Sequence, residues 1–192
     1  MILSFLKKKI SLYDFCCEFY PAMFSTEVDF SVIKKEMILS DDELRRIKEH
    51  VPYLRAIIFQ FLISEYCNKK KLNYSDYEVG RICGKSMTAV MFGKLGKSKD
   101  EADDFIKNYL WGFENFSKFF ASLKKEEKEK GAFFHLCIYF SKTIEEKCLT
   151  VKQRARGFTA FDLTKQIYRN LEKAFNDVLK HYAIKEYSVN EK

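Results

Sequence analysis

The sequence predicts an all-α fold, a single-domain multi-helix bundle of about six helices spanning residues 1–192. Three observations carry that expectation. Only 2 prolines and 7 glycines interrupt the 192 residues, so few positions break a helix. Apolar residues make up 47% of the chain and recur at three-to-four spacing, the helical period, with no alternating strand pattern. Three serine–glutamate pairs, Ser40 with Glu43, Ser75 with Glu78 and Ser98 with Glu101, have capping-box spacing. In that motif the serine hydroxyl accepts the amide three residues on, and the glutamate accepts the serine amide in return.

The elements follow in order. A first helix is predicted over 11–24, kinked or ended by Pro21. A polar turn over 25–31 leads to a short helix at 31–38. The helix capped by Ser40 runs into Pro52, which kinks it or opens a second segment as far as about Cys67. Val51, Leu54, Ile57, Ile58, Phe61 and Leu62 give that stretch an inward stripe, and Lys69, Lys70, Lys71 and Asn73 end it. From Ser98 the period is strongest: Ala102, Phe105, Ile106, Tyr109, Leu110, Phe113, Phe116, Phe120 and Leu123 fall on one face. The charged run 124–130 stops at Gly131, a helix-ending position. Phe133, Phe134, Cys137, Phe140, Ile144 and Cys148 mark the next helix, and a loop over 149–160 contains Gly157. The last helix is predicted from about Phe161 to Tyr187.

Composition narrows the function classes. Lys and Arg outnumber Asp and Glu by 34 to 27, a net charge of +7. The surplus concentrates in two stretches, 69–97 with +5 and 151–192 with +4. If these meet in the fold they form one positive surface. The six cysteines include no C-x-x-C pair and lie in apolar helical runs, so they read as buried reduced thiols. No apolar run approaches the roughly 18 residues that a spanning helix needs. At the amino end the apolar residues precede Lys7, Lys8 and Lys9, the reverse of a secretory signal. The expected location is the cytoplasm.

One segment resembles a DNA-binding helix-turn-helix, Tyr77 to Lys97. Gly80 takes the small position between two helices, Gly84 the turn, and Val90 the apolar anchor of a recognition helix. Ser86 and Thr88 then begin the helix that faces base edges, while Arg81, Lys85, Lys94 and Lys97 supply the charge for phosphates. Lys85 and Gly93 depart from the motif, because apolar residues belong at both places. The alternative is an ordinary corner between two helices, again with the break at Gly84. The triplets Gly84-Lys85-Ser86 and Gly96-Lys97-Ser98 lack the spacing and the preceding strand of a phosphate-binding loop, and a helix cap accounts better for the second.

Catalytic and metal chemistry find little footing. His50, His135 and His181 lie far apart, and His135 with Cys137 are two residues apart, on different helix faces. Asp41, Asp42, Asp103 and Asp104 fall in first helical turns, where carboxylates favour the helix dipole. No cofactor or metal is expected. The aromatic load, 19 Phe, 11 Tyr and one Trp, exceeds what a small core usually uses and includes Phe116, Phe119 and Phe133 on more than one helical face, which fits an exposed surface, an apolar pocket or simply an aromatic-rich core. The leading expectation is therefore a non-enzymatic binding protein acting through an aromatic-rich helical surface, with a protein partner or self-association. Nucleic-acid binding through 77–97 is the second reading. A bundle holding a small apolar ligand is the third.

Overall fold

A computed structural model describes residues 7–25, 28, 30, 34, 38–129, 131–150 and 157–186. The architecture is all-α and multi-helical. Among the described residues the order is β1 (Lys8–Ile10), α1 (Leu12–Ser25), α2 (Asp41–Lys70), α3 (Asp76–Gly93), α4 (Lys99–Ser122), the single turn α5 (Lys125–Lys128), α6 (Ala132–Cys148), α7 (Gly157–Val178) and β2 (Tyr182–Ile184). The predicted helix at 31–38 lies largely outside the described residues. The chain folds into two compact units. One comprises Met1–Thr26, Ile57–Lys107 and Asn170–Lys192, and the other Glu27–Ala56 and Asn108–Arg169. Helices α2, α4 and α7 each contribute residues to both.

The three predicted caps are all formed. Ser40 N and Oγ donate to Glu43 at 3.0 and 2.9 Å, and Glu43 N donates to Ser40 Oγ at 3.2 Å. Ser75 and Glu78 make the same reciprocal pair at the start of α3, and Ser98 and Glu101 do so at α4. Each satisfies amides that the helix itself leaves without partners. The ends are equally local. Leu72 N donates to Cys67 O at 3.0 Å while Lys71 adopts φ 53°, a left-handed stop after α2 with lysine where glycine is commoner. Gly96, at φ 63° between α3 and α4, sits where the cap expectation placed it.

Both prolines lie inside helices, Pro21 in α1 and Pro52 in α2. Of the alternatives for Pro52, a second segment is not formed, since α2 is one 30-residue helix. The last helix differs at both ends, beginning at Gly157 inside the expected loop 149–160. The helix α7 ends at Val178, nine residues before the predicted limit, through tight bonds from Lys180 N to Asp177 O and His181 N to Val178 O. After it comes a three-residue strand that no alternation announced: β1 and β2 pair in parallel, with Lys8 opposite Tyr182 and Ile10 opposite Ile184, and the fold remains all-α.

In the first unit the core is aromatic. The Phe19 ring stacks on Phe59 at 4.4 Å between centroids, and Phe175 meets Phe15, Phe19, Phe59 and Tyr66 edge-on at 5.5–6.1 Å. Edge-to-face pairs suit the ring quadrupole, each adding about 0.5–1.5 kcal/mol beyond burial. Cys16, Cys67 and Cys83 are buried with them. Tyr20 reaches past this layer to donate to Cys83 O at 3.1 Å.

In the second unit, Ile47, Val51 and Leu54 of α2 are buried, as are Leu136, Phe140 and Ile144 of α6 and Leu163, Ile167 and Tyr168 of α7. A buried carboxylate fixes the end of α6. Glu43 Oε1 accepts Thr150 N at 2.9 Å, and Arg46 Nε donates to Cys148 O at 3.2 Å. Burial alone would push the Glu43 carboxyl up, but the Thr150 and Ser40 donors together outweigh it and hold it at about 2. A carboxyl held below its free value stabilises the fold above the unfolded pKa, and that contribution is lost as pH falls through the folded one. Glu43→Gln is expected to cost about 1–3 kcal/mol near neutral pH. In urea titrations across pH, its gap from the parent should close as pH falls from 4.5 toward 2.

Candidate interaction surface

Helix α3 decides the first candidate. It runs without interruption from Asp76 to Gly93, and Gly84 is not among the positions with positive φ. Neither the helix-turn-helix nor the corner at Gly84 is formed, which corrects both readings of 77–97. The reason is visible at Ser86. Instead of capping a new helix, its hydroxyl donates back to Ile82 O at 2.8 Å and to Cys83 O at 3.1 Å. Ser86 is 0% exposed, so it faces no base edge.

Thr88 likewise donates to Gly84 O at 3.0 Å. Arg81 and Lys85 share a stripe of α3 with it, the arginine half-buried and the lysine exposed. Lys94 Nζ donates to Cys17 O at 3.1 Å, and Lys97 pairs with Glu101 at 2.9 Å. Two of the four cations assigned to phosphates are thus engaged within the protein.

The second candidate, the aromatic surface at Phe116, Phe119 and Phe133, is also redrawn. Phe116 is 4% exposed and belongs to the core, with its ring 5.6 Å from Tyr139 and 6.0 Å from Phe140. Phe119 is half-buried on Tyr139 at 5.3 Å, and Phe133 is half-buried on Tyr168 at 4.2 Å. These rings are spent on helix-to-helix packing.

The exposed aromatic residue on α4 is one the spacing argument passed over. Trp111, the only tryptophan, is 55% exposed, and its neighbour Leu110 is 47% exposed. At 100° per residue, Trp111 lies about 200° around the helix from buried Tyr109. It stands on the polar face with Glu114 and Lys118, which pair at 2.6 Å. Leu110, placed on the inward stripe by its spacing, lies at the margin of that stripe instead. Lys147, in the last turn of α6, holds its Nζ 4.5 Å from the Trp111 ring centroid, a cation–π contact that orients the indole. Asn115 Nδ2 donates to Trp111 O at 2.8 Å. The signal for this site in the sequence is an indole out of period, surrounded at three and four residues by charge and amide.

No family model, curated protein or solved structure matches the chain.

Chemically reactive groups elsewhere are subdued. His135 is buried among Phe119, Phe120 and Phe134. Its Nε2 lies 2.6 Å from Glu127 O. A carbonyl only accepts, so that nitrogen carries the proton and pins α5 to α6. Burial pushes Cys137 up to about 12, against the weaker pull of Lys165 and Arg169, so this thiol stays protonated and weakly nucleophilic at neutral pH. Among the described residues no three His, Cys, Asp or Glu side chains are placed to share a metal ion. No described helix is long and apolar enough to cross a membrane.

Two measurements test this picture. A Cβ at Gly84 would meet nothing within 4 Å, so Gly84→Ala is expected to gain about 0.5–1 kcal/mol from helix propensity. A loss in urea denaturation would mean that the chain turns there. Acrylamide should quench the single indole readily in the folded state, and Trp111→Ala should shift stability by no more than about 0.5 kcal/mol.

Proposed function

We propose that the protein is a non-enzymatic interaction module, and that Leu110 and Trp111 on the outer face of α4 contact its protein partner. The observation that carries this reading is the exposed Trp111 on a polar helical face, with exposed Leu110 beside it at the margin of the apolar stripe. Tryptophan is among the residues that most often dominate interface energies, and it does so where neighbouring contacts exclude water around it. Lys147 reduces the rotameric freedom of the ring before binding, which lowers the cost of ordering it at an interface. The mixed charges beside it, Glu114, Lys118 and Lys147, suit the polar rim of such a contact.

The other two readings have lost their specific support. Nucleic-acid binding rested on a helix-turn-helix that α3 does not form. The ligand reading rested on surplus rings, and those of Phe116, Phe119 and Phe133 pack on Phe140, Tyr139 and Tyr168.

The test uses the lone indole as its own reporter. The simplest partner is a second copy, so sedimentation velocity is run from micromolar to near-millimolar protein, and crosslinked partners are collected from cells. Association is expected to shift Trp111 emission to the blue, and Trp111→Ala is expected to weaken it at least tenfold, about 1.4 kcal/mol. Association that is unchanged in Trp111→Ala and Leu110→Asp would overturn the assignment.

A further inference from the structure

Two of the six cysteines converge. Cys16 on α1 and Cys83 on α3 are 67 residues apart in sequence, and their sulfurs lie 4.0 Å apart. Both residues are 0% exposed. α1 is also tied to α3 by Tyr20 Oη to Cys83 O at 3.1 Å and to the residue that follows α3 by Lys94 Nζ to Cys17 O at 3.1 Å, so the approach is fixed by more than the thiols. A disulfide requires about 2.05 Å between sulfurs. The remaining distance of roughly 2 Å is what closure has to cover. Of the other thiols, Cys17 is half-buried on the adjoining face of α1, Cys137 and Cys148 are in the second unit, and Cys67, buried on α2, is an electrostatic neighbour of Cys83 and the competing partner that the mapped crosslink must exclude.

We propose that Cys16 and Cys83 form a redox-closable pair, oxidised by a peroxide to a disulfide that ties α1 to α3. In the first step one sulfur attacks a peroxide oxygen and the O–O bond breaks. This leaves a sulfenic acid, and the departing hydroxide takes up the thiol proton as water. In the second step the other sulfur attacks the sulfenic sulfur, the S–O bond breaks, and a second water leaves with the remaining proton. Two thiols and one hydrogen peroxide thus give one disulfide and two waters, with two electrons passing from sulfur to oxygen. Burial, the largest cause, raises the Cys16 thiol. The thiolate is the reactive form, so closure waits on local opening of α1 from α3. The pair responds to sustained oxidation, not to a brief pulse. Once closed, a crosslink across 67 residues restricts the unfolded chain and stabilises the fold.

The full chain is exposed to hydrogen peroxide, alkylated under denaturing conditions and mapped by mass spectrometry without reduction. The expected product joins the Cys16 and Cys83 peptides with the loss of two hydrogens, and dithiothreitol reverses it. The thermal midpoint rises by several degrees. Because Cys16 and Cys17 share a peptide, two variants separate them: Cys17→Ser should keep the crosslink, and Cys16→Ser should abolish both the crosslink and the rise. If Cys16→Ser does not fold, Cys17→Ser alone decides, since loss of the link there assigns it to Cys17. Oxidation confined to Cys17 as sulfinic or sulfonic acid, with Cys16 and Cys83 recovered as alkylated thiols, would overturn the proposal.

Discussion

The ring of Phe19, stacked on Phe59 and met edge-on by Phe175, is the contact on which the first unit depends. These three rings come from α1, α2 and α7, so the amino-terminal, middle and carboxy-terminal stretches of the chain meet at one point. Holding such distant segments together costs loop-closure entropy, which rises only slowly with length. Aromatic burial can offset it because each ring removes 150–250 Å² from water, at about 25 cal/mol per Å². The small sheet follows as a consequence. β1 ends two residues before α1 begins, and β2 begins four residues after α7 ends. Once Phe15 and Phe175 are in contact, the strands lie close enough to pair. Lys8 N then donates to His181 O, and Lys185 N to Ile10 O. A two-stranded pair is marginal by itself in water, so this one rests on the aromatic layer beside it.

The second unit uses a different device at a comparable place. The C-terminal end of a helix leaves carbonyls without partners. At α6 this is met by an arginine from α2, while the glutamate one turn earlier on α2 receives the amide that follows the helix. Glu43 serves two ends at once, since one carboxylate oxygen caps α2 and the other holds Thr150. A group with that many donors stays ionised despite burial, because charge-assisted bonds to amides recover the lost hydration.

What the sequence discloses and what it conceals divide by range. The caps at Ser40, Ser75 and Ser98 were legible because a capping box closes within three residues and needs nothing distant. Gly84 misled because a glycine is equally compatible with a turn and with a helix interior. Here the helix continues, with Ser86 and Thr88 bonding back to carbonyls three and four residues earlier. The strands were invisible, since three residues are too few to show alternation and the partner lies 174 positions away, as Lys8 and Tyr182 show. Phe116 and Leu110 exchanged roles for a similar reason. Spacing places both near the same stripe, and only the arrival of Tyr139 and Phe140 from α6 decides which of them is covered.

That same logic explains why Trp111 outweighs the net charge as a functional signal. Several basic side chains sit in local pairs, such as Lys34 with Asp41, Lys69 with Glu65 and Lys97 with Glu101, and these pairs are neutral and add nothing to the +7 surplus. Exposed pairs of this kind contribute little energy individually and describe a well-solvated surface. A half-exposed indole is different, because tryptophan is buried on average and helical periodicity offers no reason to place one opposite Tyr109. A polar residue there would serve the fold equally well. Lys147 covers part of the ring, but an ammonium held over an indole keeps its own water and leaves the remaining apolar area without a dry partner. A partner contact at Trp111 is the proposal that its 55% exposure supports.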